Sequence, residues 1–329
     1  DLFAECYGAR NDFARKAYLG MINRTPHLWQ WVYQWIDHTP GVESGLGLLG
    51  KMQGRLAQLL EAEKPDVVVS VYPLYSYLVR RIYPDGKRPF ALVTIVTDSI
   101  TINSVWYRGG SDYFIMPNED TAAVMRGAGV EEAKLKPLGF PVTHRFFTEA
   151  AVRKPPGEGN RRVLYMINSG KTEAPNIVKH LLGVPGVQLT VTVGRDEALR
   201  AAVERVAKEC GRTVEIYGWT DQMPRLLMES HLLVSKAGGA TVQEAIAAKT
   251  PMLIMQIVPG QEEGNARLLL GHGCGALTET AEEIAKKTGE AFADGAALWR
   301  EWERNIARLS KPDAALVIAR FLLDLKARE

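Results

Sequence analysis

Cysteine is scarce in this chain. Only Cys6, Cys210 and Cys274 occur among 329 residues. They form no C-x-x-C pair and are too sparse for a disulfide framework, so free thiols in a reducing compartment are expected. An excess of one charge is also lacking. Lys and Arg total 40 against 38 Asp and Glu, a formal net charge of +2, which excludes a protein held to nucleic acid mainly through phosphates. No apolar run reaches about 18 residues, so no segment reads as membrane-spanning. There is no Asp-x-Asp triplet, the oxygen-rich arrangement that suits a hard divalent cation. The six histidines show neither H-x₃-H nor HExxH spacing, so no zinc site is expected. No G-x-S-x-G elbow is present for a serine hydrolase.

What is present is ordinary globular material. Hydrophobic residues make up 46% and charged residues 24%, enough for two cores at roughly 100–200 residues per domain. Short β-branched runs alternate with helical stretches. Strands are expected at 66–71 (DVVVSV), 91–97, 112–116, 162–167, 187–193, 213–217, 231–235 and 251–256. Helices are expected at 45–63, 119–127, 196–210 and 241–248. Continuous apolar strands suit a parallel sheet covered on both faces, and the alternation reads as a doubly wound α/β fold.

Residues 148–160 (TEAAVRKPPGEGN) lack periodicity and mark a linker. The expected organisation is therefore a first domain at 1–150, a second at 151–305, and a closing helical segment at 306–329. That tail carries an apolar face of Leu316, Ile318, Phe321, Leu322 and Leu325. The chain opens on Asp1-Leu2 without a signal peptide, and its first strand begins only near residue 66. The first domain is thus expected to lack an opening strand–loop–helix unit of roughly 30 residues or more.

The most informative stretch is 235–245, SKAGGATVQEA. It follows an apolar strand and opens a helix. Glycines at such a turn let a ligand approach the backbone, and the helix start offers free N–H groups and a positive dipole end to a phosphate. Glu244, one turn further in, suits the two hydroxyls of a ribose. The alternative is a tight turn before a surface helix. The next strand leads into VPGQEEGN, where Gln261, Glu262 and Asn265 cluster at a strand's C-terminal end, the edge at which open α/β sheets bind ligands. The alternative there is a polar loop with a capped helix.

Together, SKAGGATVQEA-x₅-PMLIMQIVPGQEEGN resembles the donor-binding signature of glycosyltransferase family 28, which includes monogalactosyldiacylglycerol synthases, processive diacylglycerol glucosyltransferases and the lipid II-forming enzyme. Residues 67–83 and 90–142 resemble first-domain segments of the glyceroglycolipid synthases. The resemblance implies two Rossmann-like domains in the GT-B arrangement, with a UDP-sugar bound mainly by the second. Gly238, Gly239 and Thr241 match the diphosphate-facing loop and Glu244 the ribose-binding glutamate. Thr220 and Met223, in GWTDQM, match the uracil segment. Asn168, Ser169 and Gly170 match the first donor-facing loop, and Gln261, Glu262 and Asn265 match positions around the donor sugar. Four departures stand out. The Asn168-Ser169-Gly170 loop is poorer in glycine than its counterparts. Tyr72 replaces a frequent His. Thr143 replaces an Arg, with His144 or Arg145 as substitutes. The Gly-rich loop bearing the family's usual His base has no counterpart, so that base is expected outside this chain.

The implied reaction is an inverting, metal-independent transfer of a hexose from a UDP-sugar to a membrane lipid, with diacylglycerol the leading acceptor and no cofactor. Asp98, at the end of ALVTIVTD, is the candidate base within the chain; the alternative is a turn cap. The segment 27–36, HLWQWVYQWI, is apolar nearly all round, so Trp29, Trp31 and Trp35 are either buried or in a membrane interface. Arg80, Arg81, Lys87 and Arg88 form a local basic patch for anionic headgroups or a solvated surface. Trp106 either lines the acceptor cleft or sits in the core. These readings imply a cytoplasmic, peripherally membrane-associated protein whose partners are a UDP-sugar, a lipid acceptor and a membrane surface, without nucleic acid. Two other functions stay open: a UDP-N-acetylglucosamine 2-epimerase, and a UDP-sugar-binding subunit whose base comes from another chain.

Overall fold

The computed structural model describes residues 2–8, 49–149, 153–157, 159–260 and 262–325. It divides into two compact units. Asp1–Phe140, Val258–Gly264 and Leu316–Glu329 form the first; Pro141–Ile257 and Asn265–Ala315 form the second.

The first unit holds four strands in the order β1-β2-β3-β4: β1 Val67–Ser70, β2 Ala91–Ile95, β3 Tyr113–Ile115 and β4 Leu135–Lys136. All pair in parallel. β2 is buried at every position, as its continuous apolar run requires. The helix Pro73–Ile82 starts with proline in its first turn, where the missing N–H costs nothing. The helix Glu119–Gly127 is capped by Asn118, whose side chain accepts the Thr121 N–H. Ile318 packs with Val93, Ile95 and Ile115, supported by Phe321, Leu322 and Leu325. Leu316, expected on the same apolar face, is exposed instead. The basic patch is also smaller than its spacing suggests. Arg88 is buried and pairs with Asp112 at 2.7 Å, while the same carboxylate accepts the Leu92 N–H at 2.8 Å. Arg88 therefore fastens the start of β2 and is not a surface cation.

The second unit holds six parallel strands in the order β10-β9-β8-β5-β6-β7. They are β5 Arg161–Met166, β6 Val187–Gly194, β7 Glu215–Gly218, β8 Leu232–Lys236, β9 Met252–Gln256 and β10 Gly275–Leu277. Its core joins β5 and β6 residues such as Val163, Tyr165 and Val191 to Trp299 and Trp302. β4 and β10, two and three residues long, were not anticipated because so short a run carries no periodicity.

Part of the expected linker belongs to this unit's framework. Arg153 donates to the carbonyls of Ser230 and Lys249 and to Thr250 Oγ1. Lys154 O lies 2.7 Å from His231 Nε2. His231 is buried, and its Nδ1 accepts the Arg162 N–H at 2.9 Å, so the ring serves as a neutral donor–acceptor bridge. Burial holds its pKa down to about 4.

Candidate functional site

The strand order of the second unit fixes where a ligand is expected. From β5 the chain winds outward through β6 and β7, then returns to β8 on the other side of β5 and continues to β9 and β10. The direction reverses between β5 and β8. In an open parallel sheet, the crevice beyond the carboxyl ends of strands at that reversal is where ligands bind, because the two following loops diverge there.

The loop after β5 is Asn168-Ser169-Gly170, and the one after β8 leads through Gly238 into the helix Gly239–Ala247. The structure thus brings two of the candidate segments to the same crevice, where Asn168 Nδ2 lies 3.4 Å from Thr241 Oγ1. Gly170 adopts φ +63°, and a Cβ there would stand 3.2 Å from Met255 Cε. Both the backbone conformation and the close approach favour glycine. Ser169 Oγ is buried without a hydrogen-bond partner.

The helix Gly239–Ala247 has Gly238 as its N-cap, and no side chain caps it. The Gly238 N–H itself turns back to Lys236 O at 2.9 Å. The first-turn N–H groups therefore have no intrahelical acceptor, and their dipole end is positive. This is an anion-binding geometry. Thr241 is buried one turn in. Glu244 is half-buried, and burial alone raises its carboxyl pKa. The carboxylate is thus partly desolvated.

On the far side of β5, β7 is followed directly by Trp219, which is 71% exposed. The Arg195 guanidinium lies 5.5 Å from its ring centroid, a cation–π contact. Thr220 Oγ1 accepts the Gln222 N–H at 3.1 Å and shapes the turn into the helix that begins at Met223. Arg145 donates to Asp221 O and pairs with Glu149. It braces the 219–222 turn, and its guanidinium is shared between that turn and Glu149. Sequence reading singled out Thr220 and Met223 but passed over Trp219; an aromatic residue directly after a strand end was the available signal.

Asn265 is 2% exposed, and its Nδ2 donates to Ala237 O at 3.2 Å. It stands beside the glycine turn. Glu262 belongs to the first unit. It is buried, and its carboxylate accepts the Val258 N–H at 3.0 Å while its own N–H donates back to Val258 O. Its carboxylate is thus engaged by its own loop. Gln261, Trp29, Trp31 and Trp35 lie outside the described residues.

In the first unit, Asp98 lies just beyond β2 and accepts the Trp106 indole N–H at 2.8 Å. Burial raises its pKa, partly opposed by that hydrogen bond. Trp106 is 5% exposed and packs among Val96, Phe114 and Met116. It is a core residue and offers no open ring face to an acceptor. The turn after Asp98 is strained: Ile100, a β-branched residue, has φ +56°. Its N–H is held by Thr121 Oγ1 at 3.1 Å.

Comparison with known proteins agrees with this architecture. Residues 1–142 match the family model for monogalactosyldiacylglycerol (MGDG) synthase, and residues 165–297 match the glycosyltransferase family 28 C-terminal domain. The chain is 24% identical over 331 residues to a probable chloroplastic monogalactosyldiacylglycerol synthase of Glycine max, covering 94% of this chain and 61% of that protein. It therefore spans about three fifths of that relative's length. It is 22% identical over 333 residues to a processive diacylglycerol beta-glucosyltransferase of Bacillus cytotoxicus, covering 98% and 84%. Anabaena Alr3699/HepE, solved with UDP and glucose, superposes with a TM-score of 0.53 at 16% identity, covering 85% of this chain and 83% of that one. The UDP-GlcNAc 2-epimerase of Neisseria meningitidis, solved with UDP-GlcNAc, gives 0.59 at 14% identity, covering 84% and 82%. At such identities these two show the fold alone, which is GT-B. Residues 1–142 are thus similar to the monogalactosyldiacylglycerol synthase family, and residues 165–297 to the glycosyltransferase family 28 C-terminal domain.

Proposed function

We propose that this chain is a UDP-sugar-dependent hexosyltransferase acting on a membrane lipid, with diacylglycerol as acceptor. The observation that carries the reading is the uncapped start of Gly239–Ala247 at the sheet's switch point, flanked by the Asn168–Gly170 loop and by Glu244. A diphosphate takes the free N–H groups, its ribose hydroxyls take the Glu244 carboxylate, and the uracil lies toward Trp219 and Thr220. Preorganised N–H donors stabilise the charge that grows on the departing UDP, so the reading is metal-independent. Transfer is a single inverting displacement: the acceptor hydroxyl loses its proton to a base, its oxygen bonds to the anomeric carbon, and the carbon–oxygen bond to UDP breaks.

Asp98 is the base candidate within the chain; burial keeps its carboxyl more basic than an exposed aspartate. The names of the soybean and Bacillus relatives support the lipid acceptor. Among the described residues no helix is long and apolar enough to cross a membrane, so access to the lipid in this reading is peripheral. The test is incubation with UDP-[¹⁴C]galactose or UDP-[¹⁴C]glucose and diacylglycerol vesicles. Labelled glycolipid from either donor is expected. Conversion of UDP-N-acetylglucosamine to its 2-epimer, with no labelled lipid, would replace this reading with the epimerase.

A further inference from the structure

The peptide that enters the Gly238-Gly239 turn is fixed at both ends. Its N–H, from Gly238, bonds to Lys236 O at 2.9 Å. Its carbonyl, from Ala237, accepts Asn265 Nδ2 at 3.2 Å. Just before it, the Ala237 N–H continues the β8–β9 ladder to Gln256 O at 3.0 Å. A helix that starts on glycine has few restraints of its own, since no side chain caps it and glycine backbone is the most mobile. The plane of this one peptide sets the direction of the N–H groups that follow. Asn265 is the side chain that holds it, and it reaches the turn from the helix Glu263–Gly271, an element separate in sequence from the loop it restrains. Asn265 is 2% exposed, and its Oδ1 is buried without a partner. The amide's one recorded hydrogen bond is thus the bond to Ala237, and that acceptor fixes which end of the amide faces the turn.

We propose that Asn265 is a positioning residue for the diphosphate cradle: it locks the Ala237–Gly238 peptide so that the first N–H groups of Gly239–Ala247 converge on the phosphates. This rests on the donor-site reading above, and it assigns Asn265 a role different from reading the sugar. The effect is confined to the phosphates, because the nucleoside is held elsewhere, at Glu244 and the 219–223 turn.

The experiment titrates UDP, uridine and a UDP-hexose into the wild-type chain and into Asn265→Ala and Asn265→Asp, with thermal melts alongside. Asn265→Asp keeps the shape while replacing the N–H donor with an oxygen that repels the Ala237 carbonyl. Loss of one positioned buried hydrogen bond predicts UDP binding weakened about 10-fold in Asn265→Ala and at least as much in Asn265→Asp. Uridine affinity should stay within about 2-fold, on the same scale. Unchanged UDP affinity with a weakened UDP-hexose would overturn the proposal in favour of a direct sugar contact. Loss of uridine binding in step with UDP would overturn it in favour of a general folding role. A wild-type chain that binds none of the three would overturn the donor-site reading itself.

Discussion

Glu244 offers the sharpest separation between a structural and a functional carboxylate. Its pKa is raised by burial and by nothing else. In the free protein the ionised form is under-solvated, and the neutral form is favoured more than in an exposed glutamate. Two ribose hydroxyls donating to the carboxylate would reverse that. Hydrogen bonds to a charged group contribute about 1.5–3 kcal/mol each before any loss of independence between them. Replacing Glu244 with Ala should therefore cost about 2–4 kcal/mol of UDP affinity, or roughly 30- to 1000-fold. Glu244→Gln, which keeps one acceptor but no charge, should cost less.

The pH dependence follows with a definite sign. UDP selects the ionised carboxylate, so affinity falls as pH drops below the raised pKa of the free protein. The β-phosphate of UDP also titrates, near pH 6, so the Glu244→Gln variant is the control that isolates the carboxylate. Stability moves the other way. A carboxyl whose folded pKa lies above its unfolded value destabilises the native state at neutral pH, and the penalty disappears as pH falls below the ordinary value of 4.5. Ligand-free Glu244→Gln should therefore melt higher than wild type at pH 7. Isothermal calorimetry across pH 5–8, with melting curves for each variant, measures both effects. UDP affinity unchanged by Glu244→Ala would refute the ribose assignment.

Two further outcomes are expected. His231, with its pKa held near 4 in the fold against an ordinary 6.5, must be neutral to accept the Arg162 N–H. The unfolded chain takes up that proton first, so stability is complete above about pH 6.5 and falls by roughly 3 kcal/mol as pH drops toward 4. Acid melts of wild type against a His231→Gln variant check this, and equal slopes would contradict it. In the first unit, Trp106→Phe removes the indole N–H from Asp98 and leaves its carboxylate without that stabilising bond. The Asp98 pKa should rise, so if Asp98 is the base, the acidic limb of the kcat profile moves to higher pH; an unmoved limb with intact folding would show that Asp98 is not the base.

Much of the second unit was legible in sequence, because a buried parallel strand must be apolar throughout. The runs around 162–167, 187–193, 231–235 and 251–256 could hardly be read otherwise. The Gly238-Gly239 turn was legible as a strand-to-helix turn for a local reason: paired glycines stand between an apolar strand run and a helical pattern. What stayed hidden depended on direction. Asn265 and Glu262 are three residues apart in a polar loop and read alike, yet the first turns to Ala237 while the second curls onto Val258. Arg88 read as surface because its partner, Asp112, is 24 residues away. Trp106 read as either cleft or core because sequence pattern does not reveal its hydrogen bond to Asp98. Arg153 and Lys154 read as linker because their partners, Ser230, His231, Lys249 and Thr250, lie far along the chain in the turns before β8 and β9. Long-range partners of polar side chains set these roles, and periodicity does not encode them.

The central claim is that UDP is held at the β5–β8 switch point of the second unit. The most direct measurement is a crystal structure of the chain soaked with UDP. The account predicts diphosphate density at the N–H groups that open Gly239–Ala247 and a ribose within hydrogen-bond distance of the Glu244 carboxylate. A well-ordered nucleotide elsewhere on the chain, with that helix start empty, would contradict it.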